Sequence, residues 1–235
     1  MEPGWSDREE AVAAGIAALA RSGMLNRPIA LAGFMGVGKT TLGRRLAKVL
    51  DRPFYDTDRY VEETYGRCVD DFFAAGEESE FRRLEAEAVA ELTRRGPVVI
   101  ALGGGALLSR PSRLLLRERA FLVHLHVPWK ELREHLAELA ESRPLLRGRS
   151  TAEIHRLYLK RLATYRTAPL RITVDRRNPV EAATALLDAL RALETGPGPA
   201  ALTPLPRVDA ALGTFAHLSP VPGWSPKGEG PSLPS

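Results

Sequence analysis

The sequence predicts one α/β domain whose parallel sheet is covered by helices on both faces. From Pro28 onward, short apolar runs alternate with longer amphipathic stretches, which is typical of parallel strands joined by crossover helices. A glycine-rich segment follows the first apolar run and opens the first amphipathic stretch. The 235 residues, 44% of them apolar, are enough for one compact core of about 170 residues with flanking segments.

The strands and helices are assigned from the spacing of the apolar residues. Five apolar runs are candidate strands: 29–32, 53–55, 98–102, 121–127 and 170–174. Between them, apolar residues recur every three or four positions, which predicts helices over 40–50, 58–65, 78–95, 128–141 and 152–165. A last helix is predicted after Asn178 and Pro179, because Asn caps helices and Pro suits their first turn; it should end by Thr195.

Segments of different composition flank this domain, which we assign to residues 27–195. Residues 1–26 form an N-terminal extension whose alanine-rich stretch predicts a short helix. Residues 196–235 contain nine prolines and six glycines without a sustained apolar period. We therefore expect a disordered Pro/Gly-rich tail.

Composition argues against several classes of protein. The 33 basic residues are opposed by 29 acidic ones, which gives little electrostatic support for binding nucleic acid. No stretch reaches the ~20 apolar residues of a membrane span. The single cysteine, Cys68, excludes an internal disulfide framework. We expect a cytoplasmic monomer that binds neither nucleic acid nor membrane.

The segment from Gly33 to Thr40 reads GFMGVGKT and satisfies the phosphate-loop pattern G-x-x-x-x-G-K-[ST]. The segment could also be an ordinary glycine-rich turn. The predicted strand before it and the predicted helix after it favour a binding site for the phosphates of ATP. Lys39 is expected at the β and γ phosphates, and the Thr40 hydroxyl on Mg²⁺. The predicted ATP-binding residues of this segment and the position after it are Gly36, Val37, Gly38, Lys39, Thr40 and Thr41.

Two carboxylates, Asp56 and Asp58, follow the second predicted strand. Ligands of open parallel sheets bind at the carboxyl ends of the strands. Asp56 is therefore a candidate for the magnesium hydration shell, and Asp58 for binding and deprotonating an acceptor hydroxyl. The alternative is that either residue only caps the next helix.

Three further features suit a small anionic acceptor. Arg82 beside Phe81 can bind a carboxylate with two hydrogen bonds. The alternative is that Arg82 belongs only to an exposed charge cluster on a helix. The run 103–105 consists of glycine and follows a buried strand, so its amides can approach a ligand or simply form a turn. The basic segment 142–149 is long enough to fold over the site, where a closing arginine would stabilise the transferring phosphoryl group; an exposed loop is the alternative.

His124 and His126 share a face of a predicted strand, a spacing compatible with metal binding. No third ligand stands near them, and no serine or cysteine nucleophile pattern is present. Direct in-line phosphoryl transfer is the simpler chemistry.

In order, the motifs GFMGVGKT, DTD, FR, GGG, RPLL and YR make this chain resemble the shikimate kinase family from about Pro28 to Leu193. The resemblance implies a three-layer P-loop fold with a five-stranded parallel sheet flanked by helices, plus a lid segment. It also implies the ATP- and Mg²⁺-dependent phosphorylation of the 3-hydroxyl of shikimate, on the route to chorismate and the aromatic amino acids.

The resemblance also assigns roles by position. Lys39, Asp58 and Arg143 would be catalytic, and Thr40 and Asp56 would serve the metal. Arg82 and Arg166 would clamp the substrate carboxylate. The remaining assignments are Gly104 and Gly105 against the substrate ring, Arg143 and Arg177 at ATP, and Arg133 as a second partner of the adenine.

Two other functions remain open at this point. A gluconate kinase of the same fold would share the phosphate loop without needing the two carboxylate-binding arginines. A regulatory nucleotide-binding protein would have lost catalysis, although Lys39, Asp58 and Arg143 are all present.

Overall fold

A computed structural model describes residues 26–139, 146, 148–174, 182 and 184–188. Its centre is a five-stranded parallel sheet with the order β2-β3-β1-β4-β5. The strands are β1 (Ile29–Ala32), β2 (Phe54–Asp56), β3 (Val99–Ala101), β4 (Phe121–His126) and β5 (Leu170–Thr173). All five lie where the apolar runs predict them, and the predicted α/β class is confirmed.

The burial of each strand matches its place in the sheet. Every residue of β1 and β3 is buried, whereas the edge strands β2 and β5 are only partly so. A central parallel strand is covered by helices on both faces, so it consists of apolar residues throughout. The uninterrupted runs around Ile29 and Val99 therefore occupy the middle of the sheet.

Seven helices and one 3₁₀ turn with bounds in the described residues surround the sheet. They are α1 (Lys39–Val49), α2 (Thr57–Tyr65), α3 (Val69–Ala74), α4 (Glu78–Leu92), the 3₁₀ turn Ala106–Leu108, α5 (Arg110–Arg119), α6 (Trp129–Leu139) and α7 (Thr151–Tyr165). Residues 184–188 are also helical, inside the predicted last helix. No helix in the described ranges is both long and apolar enough to cross a membrane.

Helices α3 and α5 were not predicted from the sequence. Helix α5 carries a recognisable start signal, because the Ser109 side chain accepts a hydrogen bond from the Ser112 amide and Pro111 lies in the first turn. Helix α3 has six residues, too few for an apolar period to be evident. Both helices lie in stretches that the apolar pattern leaves unassigned.

The strand order places a crevice beside β1. The chain passes from β1 to one side of the sheet and, after β3, crosses to β4 on the other side. Such a switch point is where open α/β sheets bind ligands. A small second core, formed by Val61, Phe72, Phe81, Leu84 and Ala88 of α2, α3 and α4, stands apart from the main core.

The predicted terminal segments cannot be compared with the structure. Residues 1–25 and 189–235 lie outside the described residues, as do Asn178 and Pro179 at the start of the predicted last helix. The domain limits therefore stay predictions.

Candidate active site

The phosphate loop wraps around the start of α1. Gly36 and Gly38 have φ angles of 77° and 91°, in the left-handed region that favours glycine. Gly38 is the N-cap of α1 and provides no side-chain cap. The amides of the first helical turn therefore have no side-chain acceptor from the cap, as in helix N-termini that bind anions.

Lys39 lies with its ammonium group against the same loop. Its Nζ donates hydrogen bonds to the carbonyl oxygens of Gly33 and Phe34 at 2.9 and 3.0 Å. A positive charge is thus held beside the loop amides. This is the arrangement that the motif predicts for phosphate binding.

Asp56 joins the phosphate loop to the end of β2. Its Oδ2 accepts a hydrogen bond of 2.7 Å from the Thr40 hydroxyl. Its Oδ1 caps α2 by accepting from the amides of Asp58 and Arg59 at 3.2 and 3.5 Å. Asp56 therefore caps α2 and also contacts the phosphate loop through Thr40.

The Thr40–Asp56 pair suits a hard cation such as Mg²⁺, which prefers oxygen ligands and retains several waters. The described part of the chain contains no group of three or more His, Cys, Asp or Glu side chains that could hold a metal. A magnesium ion at this pair would take its remaining ligands from phosphate oxygens and water.

Asp58 and Glu85 meet across Gly103. A Cβ on Gly103 would overlap both carboxylates, so only glycine permits this approach. Glu85 is buried, and its Oε1 has no hydrogen-bond partner among the described residues. Burial raises the pKa of Glu85 to about 7; Arg82 opposes this rise and the charge of Asp58 reinforces it.

Arg82 is held by acidic side chains of its own helix. Its guanidinium donates to Glu85 Oε2 at 2.7 Å and to Glu78 Oε1 at 3.1 Å. It also lies so close to Gly105 that a Cβ there would overlap it. Arg82 therefore faces the glycine run.

Arg161 of α7 is a second cation at the glycine run. Only 2% of it is exposed, and a Cβ on Gly104 would lie 3.0 Å from its guanidinium. Its Cζ lies 5.7 Å from the ring centroid of Phe34 in the phosphate loop. Its Nε and one terminal nitrogen have no hydrogen-bond partner in the described structure, so both are available to donate to an anionic ligand in the cavity.

These groups surround one cavity of about 650 Å³, a size suited to small-molecule ligands. The cavity brings together the phosphate loop, the two aspartates and the glycine run. Of the predicted site residues, its lining includes Gly36, Val37, Gly38, Lys39, Thr40, Thr41, Asp56, Asp58 and Gly104, whereas Arg82 and Gly105 lie outside it.

Comparison with known proteins agrees with this geometry. The family model for shikimate kinase matches residues 35–191. The shikimate kinase of Moorella thermoacetica is 43% identical over 165 residues, covering 70% of this chain and 94% of that protein. The chain belongs to the shikimate kinase family.

Solved structures of the family have the same fold. A shikimate kinase from Acinetobacter baumannii in complex with shikimate is 32% identical, with a TM-score of 0.67, covering 73% of this chain and 96% of that one. The shikimate kinase from Aquifex aeolicus is 30% identical, with a TM-score of 0.65. The match covers 72% of this chain and 99% of that one. The predicted P-loop fold and the resemblance that predicted it are confirmed.

Arg166, predicted as the second carboxylate clamp, is not brought to the cavity. It is exposed at the C-cap of α7 and is absent from the cavity lining, whereas Arg161 is part of that lining. The two arginines are five residues apart, which corresponds to about 140° around a helix. The structure therefore favours Arg161 for this position.

Other residues of the site were missed in the sequence. His135 rather than Arg133 faces the phosphate loop, since a Cβ on Gly36 would lie 3.1 Å from the His135 ring. Thr57 is buried, and its hydroxyl accepts a 2.7 Å hydrogen bond from the Gly103 amide. Arg133 is exposed on α6.

A sequence signal existed for the two buried charges. Arg161 interrupts the otherwise apolar stripe of α7 that includes Ile154, Tyr158 and Leu162. Glu85 follows Arg82 by three residues, a spacing that brings helical side chains together. A charged residue within the buried face of a helix is a candidate site residue.

Two predicted residues cannot be placed. Arg143, the lid arginine, and Arg177, near the adenine, lie outside the described residues. Their roles stay predictions.

Proposed function

We propose that this chain transfers the γ-phosphoryl group of ATP to the 3-hydroxyl of shikimate, giving shikimate 3-phosphate and ADP for aromatic amino acid biosynthesis. One observation carries the proposal. A single cavity is lined by a phosphate loop and by a buried arginine whose guanidinium is only partly hydrogen-bonded. The two ends of that cavity suit a nucleotide and a carboxylated acceptor.

On the nucleotide side, the loop amides and Lys39 would bind the phosphates. Phosphoryl transfer accumulates negative charge on the transferred group and the leaving oxygen. A cation and N–H groups already in position stabilise that charge without reorganising. Lys39 is the residue of this side that we expect to act on the reacting atoms.

Thr40 and Asp56 would hold Mg²⁺, which is supported by their paired oxygens. When bound, this ion would neutralise charge on the β and γ phosphates. Asp56 would keep its place through its capping bonds to α2.

On the acceptor side, Asp58 would accept the proton of the attacking hydroxyl. Arg82 and Arg161 lie against neighbouring glycines of the run, which supports them as the pair that binds the carboxylate. Arg161 takes the role that the sequence assigned to Arg166. Gly104 and Gly105 would lie against the substrate ring.

The remaining roles rest on family membership. Arg143 would close over the transferring phosphate, and Arg177 would contact the adenine. We also propose a cytoplasmic monomer that binds neither nucleic acid nor membrane, which is supported by a single exposed cysteine and nearly balanced charge. Size-exclusion chromatography with light scattering tests the monomer.

The function is tested by coupled ADP release with purified full-length chain, ATP, Mg²⁺ and either shikimate or gluconate. We expect turnover that depends on shikimate, with the product phosphorylated at the 3-position by NMR. The Asp58→Asn variant should lose turnover while still binding ADP. Turnover with gluconate alone, or with neither acceptor, would contradict the proposal.

A further inference from the structure

A hydrogen bond across the molecule holds the middle of the glycine run. The Tyr165 hydroxyl, near the end of α7, donates to the Gly104 carbonyl oxygen at 2.6 Å, although the residues are 61 positions apart. Tyr165 is only 3% exposed. The run after β3 is thus anchored to α7 at the glycine that lines the cavity.

Arg161 lies next to this contact. Its guanidinium lies against Gly104, and its positive charge acts to lower the pKa of Tyr165. A tyrosine oxygen can accept one hydrogen bond while its proton donates another. Tyr165 therefore connects the carbonyl of the glycine run to the cation that we assign to the acceptor carboxylate.

The surroundings keep Tyr165 neutral and fixed. Its ring packs on the buried His124 ring, with centroids 5.5 Å apart. Burial raises the pKa of Tyr165 to about 12, opposed by the charges of Arg161 and Arg82 and reinforced by that of Glu85. Burial, with the charges of His126, Arg171 and Arg166, lowers the pKa of His124 to about 4, so the ring beneath Tyr165 is uncharged near neutrality.

We propose that Tyr165 is a positioning residue for the acceptor: its hydroxyl fixes the Gly104 carbonyl and the Arg161 guanidinium in the geometry that binds the substrate carboxylate. This inference rests on the proposed function. Nothing in it requires Tyr165 to touch the reacting atoms, so its effect should fall on acceptor binding and not on the chemical step.

The test is Tyr165→Phe, which keeps the ring and removes the hydroxyl. We expect the shikimate KM to rise about 5- to 20-fold, because a buried carbonyl loses its partner and Arg161 loses its support. The kcat and the ATP KM should change less than about 3-fold. Tyr158→Phe is the matched control, since its hydroxyl lies on the same helix and makes a longer bond of 3.4 Å to the Val127 carbonyl oxygen.

A second readout separates positioning from general loosening. The methyl ester of shikimate lacks the carboxylate charge, so Tyr165→Phe should reduce the preference for the acid over the ester. In an Arg161→Lys background, removing the Tyr165 hydroxyl should have a smaller effect than in the unmodified chain, because the two residues act through one contact.

An unchanged shikimate KM, an equal loss for acid and ester, or independent effects of the two substitutions would each overturn the inference. Thermal unfolding and ADP affinity check that Tyr165→Phe is folded; should it not fold, Tyr165 is replaced by 4-fluorophenylalanine, which keeps the ring and fills the place of the hydroxyl, and is assayed on the same acid and ester pair. If the unmodified chain shows no shikimate-dependent ADP release, the proposed function fails. An active unmodified chain with an unaffected Tyr165→Phe defeats only this inference.

Discussion

The two sides of the cavity are built in different ways. On the phosphate side, Lys39 bonds to carbonyls only six and five residues away, and one segment supplies both the loop and the start of its helix. On the acceptor side, the glycine run is held by Thr57, 46 residues away, and by Tyr165, 61 residues away. The phosphate side is formed by residues close in sequence, whereas the acceptor side is formed by residues that only the folded chain brings together.

The charges of the two sides differ in the same way. The Lys39 ammonium group donates to two backbone carbonyls of the phosphate loop itself. Arg82 and Arg161 share their surroundings with Glu85 and Asp58. We therefore expect changes on the phosphate side to leave acceptor binding intact, and changes at Arg82 or Arg161 to affect acceptor binding and stability together.

The largest expected effect is that of Lys39→Ala. We expect kcat/KM to fall about 1000-fold, because the variant lacks a preorganised cation at the developing negative charge. Steady-state ADP release measures this loss. The affinity for shikimate alone, measured by calorimetry, should stay within about 2-fold if the two sides are as separate as the structure indicates.

Lys48→Ala is the matched control for that variant. Lys48 lies on the same helix and is exposed near its C-terminal end. Its replacement should leave turnover unchanged, and a comparable loss would show that the effect of Lys39→Ala comes from the helix and not from the ammonium group.

The next effect distinguishes two arginines. Arg161→Lys should raise the shikimate KM about 10-fold or more, since lysine keeps the charge but loses the planar fork that binds a carboxylate. Arg166→Lys should change the shikimate KM less than about 2-fold, because Arg166 is exposed at the helix end. Initial rates over a range of shikimate concentrations measure both variants, and the reverse order would restore Arg166 as the clamp.

The smallest expected effect concerns stability and depends on pH. The pKa of Glu85 is about 7 in the folded chain, above its ordinary value of 4.5. The folded state therefore binds this proton more tightly than the unfolded state, and the free energy of unfolding falls as the pH rises from about 4.5 to about 7. Below that window Glu85 is protonated in both states, so this destabilisation is absent there.

Glu85→Gln removes this titration. The free energy of unfolding of the variant minus that of the unmodified chain should increase from pH 5 to pH 8. The increase should be on the order of 2 kcal/mol, or roughly 4–8 °C in Tm. Thermal unfolding of both proteins at pH 5 and at pH 8 measures this change. The other titrating groups are common to both proteins, so their contributions cancel in the difference. A constant difference across this range would show that Glu85 is ionised throughout.

Sequence reasoning succeeded where the physical cause is local. The five strands follow from short apolar runs, and Asp56 and Asp58 follow from their position at the end of β2. It failed where local signals are weak or mislead. Helix α3 is too short to show a period, and Arg166 stands beside Tyr165 in sequence but lies outside the cavity.

The phosphate loop is determined by the sequence itself, because eight consecutive residues contain the glycines, the lysine and the hydroxyl that the site needs. The fold class follows for a similar reason, since the alternation of apolar patterns is a property of the chain. Only the tertiary structure places Arg161 at the cavity and brings Glu85 to Asp58 across Gly103. These placements depend on which face of α7 is buried and on how α2 and α4 pack at the end of β3.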